Sequence, residues 1–195
     1  MAGIEIEHVR ALIGTRNETP QKLAGLADSV HSIAVGVADC LAAGGTVFAC
    51  GNGGSATQAT HFSAELVGRF KRDRTALRAF SLSDNPAAIT ALANDYDYNE
   101  IFAHQIQGLG SSGDCLLALS TSGNSQNVVR ACRSARELGM RVFALTGSGG
   151  GEIGSGCDVA VRVPFDDTAR VQEVHLMVIH LVCELVEEKL FGSGG

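Results

Sequence analysis

Five short runs, nearly all apolar, lie at about 46–50, 77–82, 115–119, 141–146 and 158–163, and each is followed or preceded by residues of helical periodicity. The helical patterns cover 22–43, 55–70, 86–93, 98–108 and 125–138, more weakly 150–155, and finally a long stretch at 168–190. A strand apolar on both sides must be covered on both faces, and strands joined through helices run parallel with right-handed crossovers. The pattern therefore predicts an α/β fold, a three-layer α/β/α sandwich around a five-stranded parallel sheet in a single domain. In the 22–43 helix, Leu23, Leu26, Val30, Ile33, Val37 and Leu41 recur every three or four positions, and Ala43-Gly44-Gly45 closes it. That stripe is broad for an outer helix. It suits packing on the sheet or a subunit interface equally. The domain is expected to span 22–190, after an N-terminal segment (1–21) with no distinctive pattern and before a flexible tail (191–195).

At 195 residues the chain can bury most of its apolar surface as one domain. With 45% hydrophobic and 18% charged residues it is globular rather than disordered. No apolar run reaches the ~18–20 residues of a membrane span, and the N-terminus lacks a basic-then-apolar export pattern. The expectation is a cytoplasmic protein with no membrane partner. A net charge of −6, no tryptophan and 5% aromatics speak against nucleic acid, which is gripped through phosphate neutralisation and base stacking. The six cysteines are scattered with no C-x-x-C spacing and read as buried free thiols of a reducing compartment. Glycine is the excess that informs: 24 copies, above the ~7% average, many placed just after apolar runs.

Open parallel sheets bind ligands beyond the carboxyl ends of their strands. Two loops fall there. Gly51-Asn52-Gly53-Gly54-Ser55 follows the first apolar run, and Ser120-Thr121-Ser122-Gly123-Asn124-Ser125 follows the third. The second loop offers four hydroxyls in six positions ahead of a helix N-terminus, which suits a phosphate monoester. An ordinary helix cap is the plainer reading, but it needs fewer hydroxyls. Residues 51–56 also fit G-x-G-x-x-A, yet the acid a dinucleotide ribose would need is missing at its place. No G-x-x-x-x-G-K-[ST] occurs. The third glycine loop, Thr146 to Gly151, reads as no more than a turn.

His61 and Glu65 lie one helical turn apart and so side by side, with Arg69 continuing that face. On the last helix Gln172 and His180 are eight residues apart, about 12 Å of rise. His61, Glu65 and His180 are ligand types that zinc takes with a position left open. Gln172 is unusual in that role, and spacing alone does not nominate it.

Together, Gly51 to Ser55, His61-x-x-x-Glu65, Asn94-Asp95, Ser120 to Ser125 and Arg170-Val171-Gln172-Glu173 with His175 and His180 resemble the sugar isomerase (SIS) family, and within it the bacterial phosphoheptose isomerases. The resemblance covers about 22–190 with the motifs in the same order. It implies a homotetramer with active sites near subunit interfaces and one Zn²⁺ per subunit on His61, Glu65, Gln172 and His180. It places Asn52, Gly53 and Gly54, with Asn94 and Asp95, around the sugar, and Ser120, Thr121, Ser122 and Ser125 on the phosphate; Ser55, Glu65, Arg69 and Gln172 are further expected substrate contacts. The implied reaction is aldose–ketose isomerisation of sedoheptulose 7-phosphate to D-glycero-D-manno-heptose 7-phosphate through an enediol(ate), feeding nucleotide-activated heptoses. Glu65 is the expected base and His180 its acid/base partner. The alternatives are an isomerase for another sugar phosphate and a non-catalytic SIS adaptor of the replication initiator, which by this resemblance lacks the equivalents of Glu65 and His180. One departure stands out. Some members carry an aspartate before the arginine of the Gln-Glu motif; here the position is Ala169, with Asp166 and Asp167 just upstream.

Overall fold

The computed structural model describes residues 5–17 and 19–192. Its centre is a parallel sheet of five strands, β1 (Val47–Gly51), β2 (Ala79–Ser81), β3 (Cys115–Ser120), β4 (Arg141–Thr146) and β5 (Val159–Arg162), in the spatial order β2-β1-β3-β4-β5. Nine α-helices are described: α1 (Ile6–Gly14), α2 (Thr19–Ala24), α3 (Ala27–Ala42), α4 (Gly54–Val67), α5 (Pro86–Asp95), α6 (Ala103–Leu109), α7 (Gln126–Glu137), α8 (Gly151–Gly156) and α9 (Thr168–Phe191). A 3-10 turn, Tyr98–Glu100, precedes α6. The expected three-layer α/β/α architecture is present.

Alternation along each strand divides the core in two. Val47 and Ala49 of β1, with Cys115, Leu117 and Leu119 of β3, join Ile33 and Val37 of α3, Phe62 and Leu66 of α4 and Ile179 of α9 on one face. Phe48 and Cys50, with Leu116 and Ala118, join Ile106 of α6 and Val128 and Ala131 of α7 on the other. The near-continuous apolar reading of these strands thus follows from double coverage.

Several boundaries differ from the periodic reading. The stretch at 22–43 is two helices, α2 and α3, because the chain turns at Gly25 and Leu26. The stretch at 98–108 is the 3-10 turn followed by α6. Ahead of residue 22 the segment expected to be featureless folds as α1 and the start of α2. It is tied to α9 by Arg16 Nη2 to Glu173 Oε1 at 3.0 Å and by Arg170 Nη2 donating to Thr19 Oγ1 at 2.8 Å. Of the expected tail, Phe191 ends α9, and residues 193–195 lie outside the described residues.

Helix starts follow local chemistry. Asn85 Oδ1 accepts from Ala88 N ahead of Pro86, and Asp167 Oδ1 accepts from Arg170 N to open α9. Asp166 accepts from the Ser148 hydroxyl. Both aspartates upstream of Ala169 therefore have local duties. All six cysteines are free, five of them buried. Among the described residues no single helix is long and apolar enough to cross a membrane.

Candidate active site

The strand order places a topological switch between β1 and β3, which are direct neighbours with Gly51 opposite Leu119. The helix after β1 lies on one face of the sheet and the helix after β3 on the other, so their loops diverge and leave a crevice at the carboxyl edge. Both predicted loops border it.

Below the glycine loop, α4 and α9 run side by side in the same direction. Their pairing brings His61 Nε2 to 3.0 Å from His180 Nε2, and Glu65 Oε1 to 3.3 Å from His61 Nε2. One ligand atom from each of the three residues lies within 4.8 Å of the others. Tetrahedral bonds of about 2.0–2.1 Å to zinc put neighbouring donors about 3.3 Å apart. The His61–His180 and His61–Glu65 separations come close to that spacing, and the donor types suit the ion. Phe70 stacks on the His180 ring with centroids 5.6 Å apart.

Two turns before His180, Gln172 lies against the start of α4. A Cβ on Gly54 would stand 2.6 Å from its Nε2 and 2.7 Å from its Oε1, so only glycine leaves that seat. Gln58 Nε2 donates to the Gln172 carbonyl at 2.7 Å, while the buried Gln58 Oε1 has no hydrogen-bond partner. The structure thus unites His61, Glu65 and His180 and places the Gln172 amide at the glycine loop.

α4 stops at Val67 with Gly68 as its cap. Arg69 therefore does not continue the His61–Glu65 face as the spacing predicted; it is exposed in the loop beyond the helix. That loop is organised by two residues the sequence reading missed. Glu187, 1% exposed, accepts from the Phe70, Lys71 and Arg72 amides at 3.1, 3.0 and 3.1 Å and from Arg74 Nε at 3.1 Å. Arg74 donates in turn to the carbonyls of Glu65, Leu66 and Gly68, satisfying the end of α4. Burial alone would raise the Glu187 carboxyl. The Lys71 and Phe70 amides, the Arg74 charge and the Arg72 amide outweigh it and hold the group below its usual range. The clamp fixes both the backbone of Glu65 and the ring stacked on His180.

In the second loop Ser120 Oγ lies 3.0 Å from Ser125 Oγ and 3.5 Å from Ser122 Oγ. Ser125 is the N-cap residue of α7, yet its hydroxyl makes no cap hydrogen bond. The plain capping reading fails for that side chain, and three hydroxyls cluster at a helix N-terminus instead. Thr121 contributes its carbonyl to Gly147 N at 3.0 Å. The third glycine loop is thus more than a turn. Gly123 has φ +68°, and a Cβ there would stand 2.0 Å from the Gly150 carbonyl oxygen. Ile153 N donates to Gly123 O at 2.9 Å and Glu152 N to Asn124 Oδ1 at 3.0 Å. One glycine loop braces the other.

Asn52 pairs with Asn127, and the Tyr98 hydroxyl donates to Asn52 Oδ1 at 3.1 Å. Asn94 and Asp95 are exposed at the end of α5, bonded to each other at 2.8 Å, shortly before Tyr98. Ser55 is 3% exposed and packs beneath Gly51. Gly53 and Gly54 are exposed at the start of α4.

The SIS domain family matches residues 16–147. The chain is 51% identical over 171 residues to the phosphoheptose isomerase of Methylibium petroleiphilum, covering 86% of this chain and 84% of that one. It is 44% identical over 187 residues to the phosphoheptose isomerase of Akkermansia muciniphila, covering 96% and 99%. The solved phosphoheptose isomerase of Neisseria gonorrhoeae superposes with a TM-score of 0.88 at 39% identity, over 93% of this chain and 98% of that one. A scaffold and sequence shared at this identity over nearly the whole length of both chains show common descent: the chain belongs to the SIS domain family, in its phosphoheptose isomerase branch.

Proposed function

We propose that the chain interconverts sedoheptulose 7-phosphate and D-glycero-D-manno-heptose 7-phosphate, an aldose–ketose isomerisation that supplies nucleotide-activated heptose. The observation that carries this is the convergence of Glu65 and His180, from separate helices, beside the crevice that the hydroxyl loop borders. The phosphate end lies on Ser120, Thr121, Ser122 and Ser125 at the α7 N-terminus, whose unpaired N–H groups and dipole favour a dianion. Asn52, Gly53, Gly54, Ser55, Arg69, Asn94, Asp95 and Gln172 surround the sugar. Glu65 takes the proton from one of C1 and C2 and returns it to the other, and His180 moves a proton on the neighbouring oxygens. Each such group is worth about 10²–10⁴ in rate. Arg74 keeps Glu65 in register through its carbonyl, and Phe70 holds the His180 ring.

His61, Glu65 and His180, with Gln172 as the fourth donor, would hold one zinc per subunit. Bound there, the ion supplies Lewis acidity toward the carbonyl and hydroxyl oxygens of the sugar.

The reading includes a homotetramer with active sites near subunit interfaces. Its support is an uncovered apolar face: Leu176, Met177 and Leu181 of α9 are 37–43% exposed, and Leu23, Val30 and Leu185 line an adjoining groove of about 630 Å³. The free thiols fit the cytoplasm. The test is to incubate the protein in heavy water with sedoheptulose 7-phosphate, arabinose 5-phosphate and fructose 6-phosphate and follow hydrogen exchange at the carbon beside the carbonyl, C1 of the two ketoses and C2 of the aldose. Exchange confined to, or far faster with, the heptulose supports the reading; preference for a shorter sugar reassigns the substrate; none with any overturns the enzyme.

A further inference from the structure

The Asn52 carboxamide could in principle present either end to a ligand, but a chain of hydrogen bonds decides which. It begins at a backbone group. Val128 N–H, shared with Ser125 O at 3.0 Å, lies 2.9 Å from Asn127 Oδ1. A backbone N–H meets only an acceptor, so that atom is the oxygen and the other is the Asn127 amide nitrogen. Asn127 Oδ1 then accepts from Asn52 Nδ2 at 2.8 Å, and Asn127 Nδ2 donates to Asn52 Oδ1 at 2.8 Å. Tyr98 completes the set by donating its hydroxyl to Asn52 Oδ1 at 3.1 Å.

A carboxamide has two N–H groups and two lone pairs on oxygen. Asn52 spends both lone pairs and one N–H within this network. What remains is one N–H. The three partners come from three segments: Asn52 from the glycine loop, Asn127 from the first turn of α7 two residues beyond Ser125, and Tyr98 from the turn that follows Asn94 and Asp95. Asn127 is only 2% exposed, so it cannot itself meet a ligand, whereas Asn52 is part-exposed.

We infer that Asn127 is a positioning residue that, with Tyr98, locks Asn52 to offer a sugar oxygen a single N–H donor and no acceptor. Such a group meets only an acceptor, and it holds an oxygen carrying carbonyl or enediolate charge more strongly than a neutral hydroxyl oxygen. Because Asn127 sits on the helix that the hydroxyl loop opens, it also sets the distance between the sugar-facing and phosphate-facing groups. This rests on the isomerase reading above.

The test compares wild type, Y98F, N127S, N52A and the doubles N52A/Y98F and N52A/N127S as full-length proteins. It measures sedoheptulose 7-phosphate turnover, the inhibition constant of inorganic phosphate, and thermal unfolding. N127S should lower kcat/KM about tenfold and Y98F about threefold, the scale of losing one or two hydrogen bonds. Phosphate inhibition should stay within about twofold of wild type. In the N52A background neither second change should cost anything more, because both act through Asn52. Full additive losses in the doubles, or equal losses in phosphate and sugar binding, would show Asn127 serving only the fold of α7 and overturn the inference. An active wild type matched by both single variants overturns it alone. An inactive wild type overturns the isomerase reading and this inference with it.

Discussion

His61 Nε2 and His180 Nε2 face each other at 3.0 Å across the α4–α9 seam, with the Glu65 carboxylate 3.3 Å from His61 Nε2. Two imidazole nitrogens so close need a proton or a cation between them, since lone pair against lone pair repels. An N–H of one ring would satisfy that contact as well as a metal would, so the proposed zinc makes a separate prediction: purified protein should carry about one zinc per chain, and a chelator should lower its unfolding temperature. H61A and H180A should each lose most of the metal and most of the chelator response. Metal analysis and thermal unfolding check this, and a wild type indifferent to chelation would contradict it.

Glu65 keeps its backbone tied to Arg74 whatever its side chain carries. E65Q should therefore keep the fold of α4 and the particle size of wild type, while kcat falls at least ~100-fold beyond any loss that chelation causes in wild type, the cost of losing a positioned base. Steady-state kinetics beside light scattering separates the two effects; turnover near that of wild type removes Glu65 from the role.

Ser125 makes no cap hydrogen bond, so S125A should change stability by no more than about 0.5 kcal/mol. A hydrogen bond to a charged group is worth about 1.5–3 kcal/mol, so KM should rise roughly ten- to hundredfold. A variant that loses stability but keeps KM would return the hydroxyl to a capping role.

Acid should unfold the protein in two stages. Burial pushes His175 down to about 4 from 6.5, against the opposing bond to the Thr146 carbonyl. Its native form is the neutral one. The unfolded chain takes up the proton first as pH falls below 6.5, and stability drops until the folded value near 4, by up to about 3 kcal/mol. The Glu187 carboxyl is held below its unfolded value of 4.5, so its contribution is present above that pH and is lost as pH falls through the lowered value. Urea unfolding at a series of pH values should show both slopes. H175Q should remove only the upper one, whereas E187Q should cost about 3–5 kcal/mol even at neutral pH by leaving Arg74 buried without its partner.

Much of this was legible in the residues. Apolar runs between helical patterns demand a doubly covered parallel sheet, and a histidine and a glutamate one turn apart must share a face, because both arguments use only neighbours in the chain. Periodicity could not see that a glycine ends α4 before Arg69, or that Gly25 and Leu26 split the first long helix. Those are choices between helix continuation and local turning that packing decides.

What the chain order alone settled was the layer architecture, with the two glycine- and hydroxyl-rich loops placed at the carboxyl edge of the sheet. Only tertiary structure decided the partners. Glu187 reaches Arg74 across 113 residues, Asn127 reaches Asn52 across 75, and His180 meets His61 across 119. Gln172 finds its seat at Gly54, and Gly123 its brace at Gly150, for the same reason. Such contacts depend on which strands are neighbours and how the covering helices align, and both are properties of the packed core rather than of any short stretch of sequence.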